Sequence, residues 1–344
     1  MPEIITIVGG GLAGLSLGIG LRQRGVPVTV WEAGHYPRHR VCGEFISGAG
    51  QDSLARIGLL EGLVNAGACT AVNAAFFSGM SMVAVRPLPR AALCVSRFIL
   101  DQWLACEFQR LGGDLRLGAR WTGEFGPGIV HAGGRRPHPV VDGWRLFGLK
   151  VHAGGIELDA DLEMHFVPAG YVGLCRLAGG EVNICGLFRS EATVPGLAKH
   201  WRNWLGGPED SVLHTRLARA QIIEDSFCSV AGLSLELRRA THRNECCIGD
   251  ALTMIPPVTG NGMSMAFESA ELAMDPLVAF NRGGLTWTQA QQNIARSCDL
   301  IFNTRLRQAA WLQWALFHPP LRSVLFFLAS RSNRLWREIF DRTR

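Results

Sequence analysis

The amino-terminal stretch carries a glycine pattern that could hold a phosphate group. Residues 9–14 read Gly-Gly-Gly-Leu-Ala-Gly and directly follow residues 3–8, which are apolar and strand-like. The first glycine of such a pattern permits a tight turn, the second lets the backbone approach a pyrophosphate, and the third lets a helix pack closely on the strand. The free N–H groups and the dipole at the helix N-terminus attract the anion. The pattern therefore predicts a dinucleotide site at Gly9, Gly11, Leu12, Ala13 and Gly14.

A carboxylate ends the second predicted strand, over residues 26–32. Glu32 stands eighteen residues after Gly14, where it can accept hydrogen bonds from ribose hydroxyls. We assign it, with the neighbouring Ala33, to the same nucleotide site. This fingerprint is compatible with either NAD or FAD.

A second signature lies near the far end of the chain. Asp250 follows an apolar, strand-like run, where it could accept a hydrogen bond from a polyol chain. A proline- and glycine-rich loop over residues 255–262 then opens a predicted helix. A flavin ring gathers negative charge on reduction, and a helix N-terminus facing it would stabilise that charge.

In their order and spacing these motifs resemble the FAD-dependent oxidoreductases with a glutathione-reductase-like FAD domain. That family holds the group A flavin monooxygenases, the flavin-dependent halogenases and the geranylgeranyl reductases, and the resemblance covers residues 1 to about 280. It implies that Asp250 binds the ribityl hydroxyls and that Arg40 and Arg97 approach the pyrophosphate or the ribityl chain. It also implies a loop along the flavin ring, made of Pro257, Gly260, Asn261, Gly262 and Met263.

The sequence departs from the family in its middle region. The usual Asp-Gly pair after a strand appears here as Ala132-Gly133-Gly134-Arg135, without the acid. The stretch over residues 120–131 is also shorter than the usual multi-stranded meander. Both departures concern a region that often takes part in orienting the nicotinamide donor.

Four residues are candidates for the chemistry. Cys42 and Glu44 lie in a Cys-Gly-Glu segment that resembles one beside the flavin in the reductase and hydroxylase branches, where either could donate a proton or orient the substrate. The alternative is that Cys42 packs and that Glu44 binds backbone. His165 and Tyr171 lie on predicted strands of the substrate domain and could face the ligand. The alternative for both is an ordinary strand residue whose polar atoms are solvated or satisfied.

The pattern of elements predicts an α/β fold. We expect a three-layer, Rossmann-like FAD-binding domain with a parallel sheet, an inserted β-rich substrate domain and a helical C-terminal tail. The FAD-binding domain would comprise residues 1–70, 95–145 and 245–280. The substrate domain would comprise residues 71–94 and 146–240, and the helical segment residues 281–344.

Composition excludes several classes of protein. With 344 residues, 48% of them hydrophobic and 18% charged, the chain is neither disordered nor collagen-like. The ten cysteines form no Cys-x-x-Cys pair, so we expect no metal site and no disulfide framework, and a cytoplasmic location. Neither a membrane-spanning run nor a signal peptide is expected.

Positive charge is concentrated in the tail. Residues 305–344 hold eight arginines against Glu338 and Asp341, a local balance of +6, which leaves −1 for the rest of a chain whose net charge is +5. This distribution disfavours nucleic-acid binding. Tryptophans interleave with the arginines, which is compatible with peripheral membrane contact through amphipathic helices. The alternative is a helix pair packed over the FAD domain.

These features predict an FAD-dependent monooxygenase that hydroxylates a hydrophobic or aromatic small molecule, such as a polyketide or lipid of secondary metabolism. NAD(P)H would bind transiently as the reductant, because the sequence holds one nucleotide fingerprint. One alternative is an FAD-dependent reductase of prenyl or other C=C bonds, which the Cys42 segment favours. Another is a flavin-binding partner without turnover. The oligomeric state stays open.

Overall fold

A computed structural model describes residues 4–135, 143–191 and 196–343. The strands are β1 (Ile5–Val8), β2 (Val28–Trp31), β3 (Phe45–Ile46), β4 (Cys69–Ser78), β5 (Ser81–Cys94), β6 (Asp114–Arg116), β7 (Ile129–His131), β8 (Trp144–Gly154), β9 (Leu162–Val167), β10 (Gly170–Arg176), β11 (Val182–Glu191), β12 (Gln221–Ala231) and β13 (Cys246–Cys247). The helices are α1 (Leu12–Gln23), α2 (Gly48–Ile57), α3 (Leu60–Asn65), α4 (Arg97–Arg110), α5 (Trp201–Gly206), α6 (Val212–Leu217), α7 (Gly262–Asn281), α8 (Trp287–Leu316), α9 (Pro319–Arg331) and α10 (Asn333–Arg342).

The first sheet is parallel and has the strand order β13-β7-β1-β2-β6. Helix α1 connects β1 to β2 and packs against α4 and α7. It is buried from Leu12 to Leu21. Two of its glycines make this close packing possible, because a Cβ on Gly18 would lie 2.8 Å from the Phe108 ring and one on Gly20 would lie 2.2 Å from Met274. The predicted Rossmann-like arrangement of a parallel sheet with helices is confirmed.

The second sheet has eight strands in the order β12-β8-β11-β10-β9-β4-β5-β3. All neighbours are antiparallel except β4 and β9. Its strands come from residues 69–94 and 144–231, with β3 added from residues 45–46. The domain boundaries stated above stay predictions, and β3 lies within the segment that we assigned to the FAD-binding domain.

The tail is helical, as predicted. A capping box formed by Thr286 and Gln289 opens α8, whose thirty residues pack against α7. Helix α9 packs on β5 of the second sheet, and α10 packs on α8 and α9. The tail therefore contacts the helices of the first sheet and also covers the second sheet. No helix among the described residues is long and apolar enough to span a bilayer.

Apolar residues alternate with small ones over residues 76–82, at the end of β4 and the start of β5. Met80 and Met82 of this run are exposed and lie outside the core. A β-strand turns alternate side chains to opposite faces, and Phe76 is the residue of this run that faces the interior cavity described below.

Candidate active site

The glycine turn after β1 is shaped to receive an anion. Gly9 has φ of +111°, and a Cβ on it would lie 2.3 Å from the carbonyl oxygen of Ala132. Space around Gly11 is open, since a Cβ on it would have no neighbouring atom within 4 Å. No described group accepts a hydrogen bond from the first-turn N–H groups of α1, and no side chain caps this helix. A helix N-terminus left free in this way favours a phosphate.

Glu32 borders this turn. Its carboxylate accepts hydrogen bonds from the Gly10 N–H at 2.9 Å and from the Gly34 N–H at 2.8 Å. Burial by itself would raise the pKa of Glu32, but the Gly34 N–H and the Arg38 guanidinium hold it below the ordinary value. Glu32 is therefore an ionised acceptor beside the helix end. Ala33, the next residue, is exposed.

Two arginines connect Glu32 with the middle of the site. Arg40 lies 3.8 Å from Glu32 and 3.4 Å from the buried Asp101. Arg97 binds both carboxylate oxygens of Asp101, at 2.6 and 2.8 Å. Asp101 is a residue that sequence reasoning missed, although its position four residues after Arg97 on the predicted helix is the spacing of an ion pair on one helix face. It holds two arginines that would otherwise move independently.

Asp250 lies where the two distant motifs converge. Asp250 is exposed, yet loss of hydration among the surrounding protein atoms raises the pKa of its carboxyl. The positive charges of Arg135 and Arg97 oppose this rise. We call the site formed by Asp250, the N-terminus of α1 beside it and the loop before α7 the recess. Among the described residues nothing hydrogen-bonds to its carboxylate. A Cβ on the adjacent Gly249 would lie 2.9 Å from the side chain of Ala13, so Asp250 stands beside the N-terminus of α1.

The loop before α7 forms the other end of the recess. Pro257 begins a 3₁₀ turn that ends at Gly260, and α7 starts at Gly262. Asn261 does not cap α7 with its side chain, which instead accepts from the Ser47 hydroxyl at 2.8 Å and donates to the Thr343 carbonyl at 3.1 Å. The N–H groups of the first turn of α7, which includes the buried Met263, therefore have no described acceptor.

A cavity of about 170 Å³ adjoins this loop. Its walls come from β4, β5, β9 and β10 of the second sheet, from the 257–259 turn and from all three tail helices. The side chains facing it are mostly apolar, among them Phe45, Phe76, Met164, Leu312 and Trp336. The cavity is thus an apolar compartment next to the loop that precedes α7.

The free helix ends, the unpartnered Asp250 and the open space at Gly11 fit an extended dinucleotide. Comparison with known proteins agrees. Residues 7–42 match the NAD(P)-binding Rossmann-like domain family. The flavin-dependent brominase Bmp2 superposes with a TM-score of 0.75 at 17% identity, over 99% of this chain and 93% of that one. PqsL, a probable FAD-dependent monooxygenase from Pseudomonas aeruginosa, superposes with a TM-score of 0.70 at 15% identity, over 94% of this chain and all of that one.

The chain has the fold of the flavin-dependent monooxygenases and halogenases. The resemblance drawn from the motifs is thus confirmed at the level of the fold. Among curated proteins, conditioned medium factor receptor 1 of Dictyostelium discoideum is 25% identical over 82% of this chain. The chain spans 64% of that relative's length.

In this fold Gly43 of the Cys-Gly-Glu segment lines the cavity, and Glu44 of the same segment contacts Arg97. Burial raises the pKa of the Cys42 thiol, which the Arg97 guanidinium offsets only in part, so the thiol is protonated at neutral pH. Glu44 is fully buried in a left-handed conformation, with φ of +61°. Its carboxylate accepts from the Arg97 N–H at 2.9 Å and lies 2.6 Å from His152 Nε2 and 3.6 Å from Lys150 Nζ. Glu44 thus connects the segment before β3 with β8 of the same sheet and with the start of α4.

The two candidates on the second sheet have different surroundings. His165 is buried on the face turned away from the cavity, with Nε2 2.9 Å from Glu163 and its ring stacked on Phe77. This placement provides no contact with a ligand in the cavity. Tyr171 shares the face of Gly173 and Cys175, which line the cavity, and its hydroxyl donates to Gln313 of α8 at 3.2 Å.

Three further side chains offer atoms of the kind that bind metals. Atoms of His131, Glu245 and Cys247 all lie within 4.8 Å of one another. His131 Nδ1 is 2.7 Å from Glu245 Oε2, which is an ordinary hydrogen-bond distance. The thiol of Cys247 is 3.9 Å from the same ring nitrogen. A hydrogen-bonded pair beside a thiol accounts for these contacts, and the expectation of no metal site stays a prediction.

Proposed function

We propose that this chain binds FAD and is a monooxygenase that hydroxylates a hydrophobic or aromatic small molecule, such as a polyketide or lipid. The observation that carries the proposal is the position of Asp250 beside the N-terminus of α1, together with the uncapped N-terminus of α7 and the apolar cavity that adjoins the 257–259 turn. Two halves of a dinucleotide site, far apart in the chain, thus form one recess.

Each part of the recess has a proposed role. Glu32 accepts the ribose hydroxyls, the free N–H groups of α1 hold the pyrophosphate, and Asp250 accepts the ribityl hydroxyls. Arg40 and Arg97 are fixed by Asp101 and offset the phosphate charge. The N-terminus of α7, with Gly262 and Met263, stabilises negative charge on the ring. When bound, reduced FAD supplies the activation of oxygen and the transfer of one oxygen atom to the substrate.

The substrate side of the proposal rests on the cavity. Its apolar walls exclude water and favour a ligand with few polar groups. NAD(P)H is the proposed reductant, bound transiently, because the sequence holds a single nucleotide fingerprint. A product screen identifies the substrate within this class, and the same assay run with NADH and with NADPH identifies the reductant.

The cofactor is tested with Asp250→Ala. We expect the wild-type protein to purify yellow and the variant to purify largely colourless, because a hydrogen bond to a charged group contributes about 1.5–3 kcal/mol. The measurement is the ratio of flavin to protein absorbance after gel filtration. Asp275→Ala is the matched control, since Asp275 is an exposed acid on α7. Stoichiometric flavin in Asp250→Ala would contradict the assignment.

The reaction is tested by oxygen uptake coupled to NAD(P)H oxidation, with mass spectrometry of products from candidate lipids and polyketides. Gain of one oxygen atom supports the monooxygenase. Bound FAD whose reduction no candidate substrate stimulates would instead indicate a non-catalytic flavin-binding partner.

A reductase of C=C bonds is the second candidate, and the protonated thiol of Cys42 beside the cavity-lining Gly43 favours it. Gain of two hydrogens in the product would establish it. The monooxygenase proposal expects Cys42→Ser to retain most turnover, whereas complete loss of turnover would favour the reductase.

A further inference from the structure

Helix α8 is apolar on both faces where it closes the cavity. Leu312 and Leu316 line the cavity from inside. On the outside, Trp311 and Trp314 lie one turn apart and are 56% and 53% exposed. A surface helix of a globular protein ordinarily turns charged or polar residues to water. Two exposed tryptophans so close together therefore call for a partner.

Helix α9 repeats the pattern. Leu325 lines the cavity, while Val324 and Phe327 are 55% and 54% exposed and Leu321 is also exposed. Only Phe317 and His318 separate α9 from the end of α8. We call the outer residues of the two helices the tail face, which comprises Trp311, Trp314, Leu321, Val324 and Phe327.

Arginines accompany the tail face. Arg307 is exposed on α8 one turn before Trp311, and the Arg331 guanidinium lies 4.3 Å from the centre of the Phe327 ring. Arg334 and Arg337 of α10 are exposed, and no acidic group among the described residues pairs with either. Arg305 is buried and paired with Glu268, and residues 306–344 have a charge of +5. A partner of opposite charge with an apolar interior is complementary to this combination.

We propose that the tail face docks on an anionic lipid bilayer and that the cavity takes its substrate from that bilayer. Tryptophan favours the boundary between headgroups and hydrocarbon, and arginines near an anionic surface are attracted to it. Helices α8 and α9 would lie in the plane of the interface, with the cavity directly behind them. The origin of the substrate rests on the proposed function, whereas the docking does not.

The docking is tested by co-sedimentation of the full chain with vesicles of phosphatidylcholine, with and without phosphatidylglycerol. We expect binding to the anionic vesicles and little to the neutral ones. Trp311→Ser combined with Trp314→Ser should weaken binding by about tenfold or more, through lost apolar burial. Arg334→Gln and Arg337→Gln should each weaken it by about fivefold. Ile4→Ser combined with Val64→Ser is the control, because both side chains are exposed and neither belongs to the tail helices or to β5, on which α9 packs.

Three outcomes would overturn the proposal: no vesicle binding, equal binding to neutral vesicles, or a tryptophan variant that binds as the wild type does. Gel filtration without lipid adds a fourth. If the wild type forms a dimer that the tryptophan variant does not, a second copy of this chain covers the tail face. Vesicle binding needs neither flavin nor turnover, so its failure is distinguishable from failure of the proposed function, which the flavin content and the products report.

Discussion

Lys150 of β8 shows how a buried charged residue is accommodated in this fold. It is fully buried, and a buried charge is costly unless it is paired and hydrogen-bonded. Glu44 lies 3.6 Å away, and Lys150 Nζ donates to His39 Nδ1 at 2.9 Å. His39 can accept this hydrogen bond only when its ring is neutral. Burial, Lys150 and His152 together lower the pKa of His39 from 6.5 to about 4.

A dependence of stability on pH follows from His39. Between its ordinary pKa of 6.5 and its folded value of about 4, the unfolded chain binds a proton that the native chain does not. This contribution to the free energy of unfolding is complete above pH 6.5 and is lost as the pH falls towards 4. His39→Gln keeps an acceptor for Lys150 and should lose less stability than the wild type between about pH 7 and about pH 4.5.

The measurement is the free energy of unfolding in urea at the two pH values. His35→Gln, a change at an exposed histidine, is the control and should follow the wild type. If His39→Gln follows the wild type as well, His39 does not carry this pH dependence.

At the scale of elements, the turn before α7 sets the floor of the recess. Gly260 has φ of +65°, and a Cβ on it would lie 1.9 Å from the Phe45 ring. Ser47, which follows β3, is hydrogen-bonded to both Asn261 and Ser264. The turn is thus held between the β3 segment and α7. Its backbone can lie this close to the Phe45 ring only because residue 260 has no side chain.

Gly260→Ala should therefore destabilise the fold for two reasons. A left-handed conformation costs a residue with a Cβ about 1–2 kcal/mol, and the overlap with Phe45 adds to this. Gly283→Ala isolates the first effect, because Gly283 has φ of +77° and open space around it. Urea unfolding should show a loss at Gly260 at least about twice that at Gly283. Equal losses would mean that Phe45 moves aside freely.

At the scale of the molecule, a buried ion pair fastens the tail to the helices of the first sheet. Arg305 of α8 binds both carboxylate oxygens of Glu268 of α7, at 2.7 and 3.0 Å. Both side chains are about nine-tenths buried. The same helix contacts the second sheet, because Gln313 accepts a hydrogen bond from Tyr171. Helix α8 therefore contacts both α7 and the second sheet, and its Leu312 and Leu316 line the cavity.

Arg305→Met should lower the free energy of unfolding by about 3–5 kcal/mol, because it leaves the Glu268 carboxylate buried without its partner. The double variant with Glu268→Met should recover most of the loss, since an apolar pair of similar volume needs no compensation. Denaturant unfolding of the two variants and the wild type gives both values. A double variant as unstable as the single one would show that packing, and not the unpaired charge, causes the loss.

Sequence patterns were sufficient for the local elements of the nucleotide site. The glycine pattern over residues 9–14 predicted a turn between a strand and a helix, and Glu32 was placed at the end of the next strand. The structure has these elements as β1, α1 and β2. Ser96 is of a residue type that favours helix N-caps, and its hydroxyl accepts from the Phe98 N–H at the start of α4 at 3.1 Å. Such elements are set by hydrogen bonds and torsions within a few residues, so the sequence displays them directly.

Contacts between distant residues were decided only by the tertiary structure. No local pattern shows that Asp101 also pairs with Arg40, or that Glu44 beside β3 meets Lys150 and His152 of β8. A period of two shows which strand residues share a face, but it does not show which face a cavity adjoins. The arrangement of strands and tail helices turned Tyr171 towards the cavity and His165 away from it. Burial and pairing depend on every element that packs around a side chain, and for that physical reason they emerge only when the whole chain is folded.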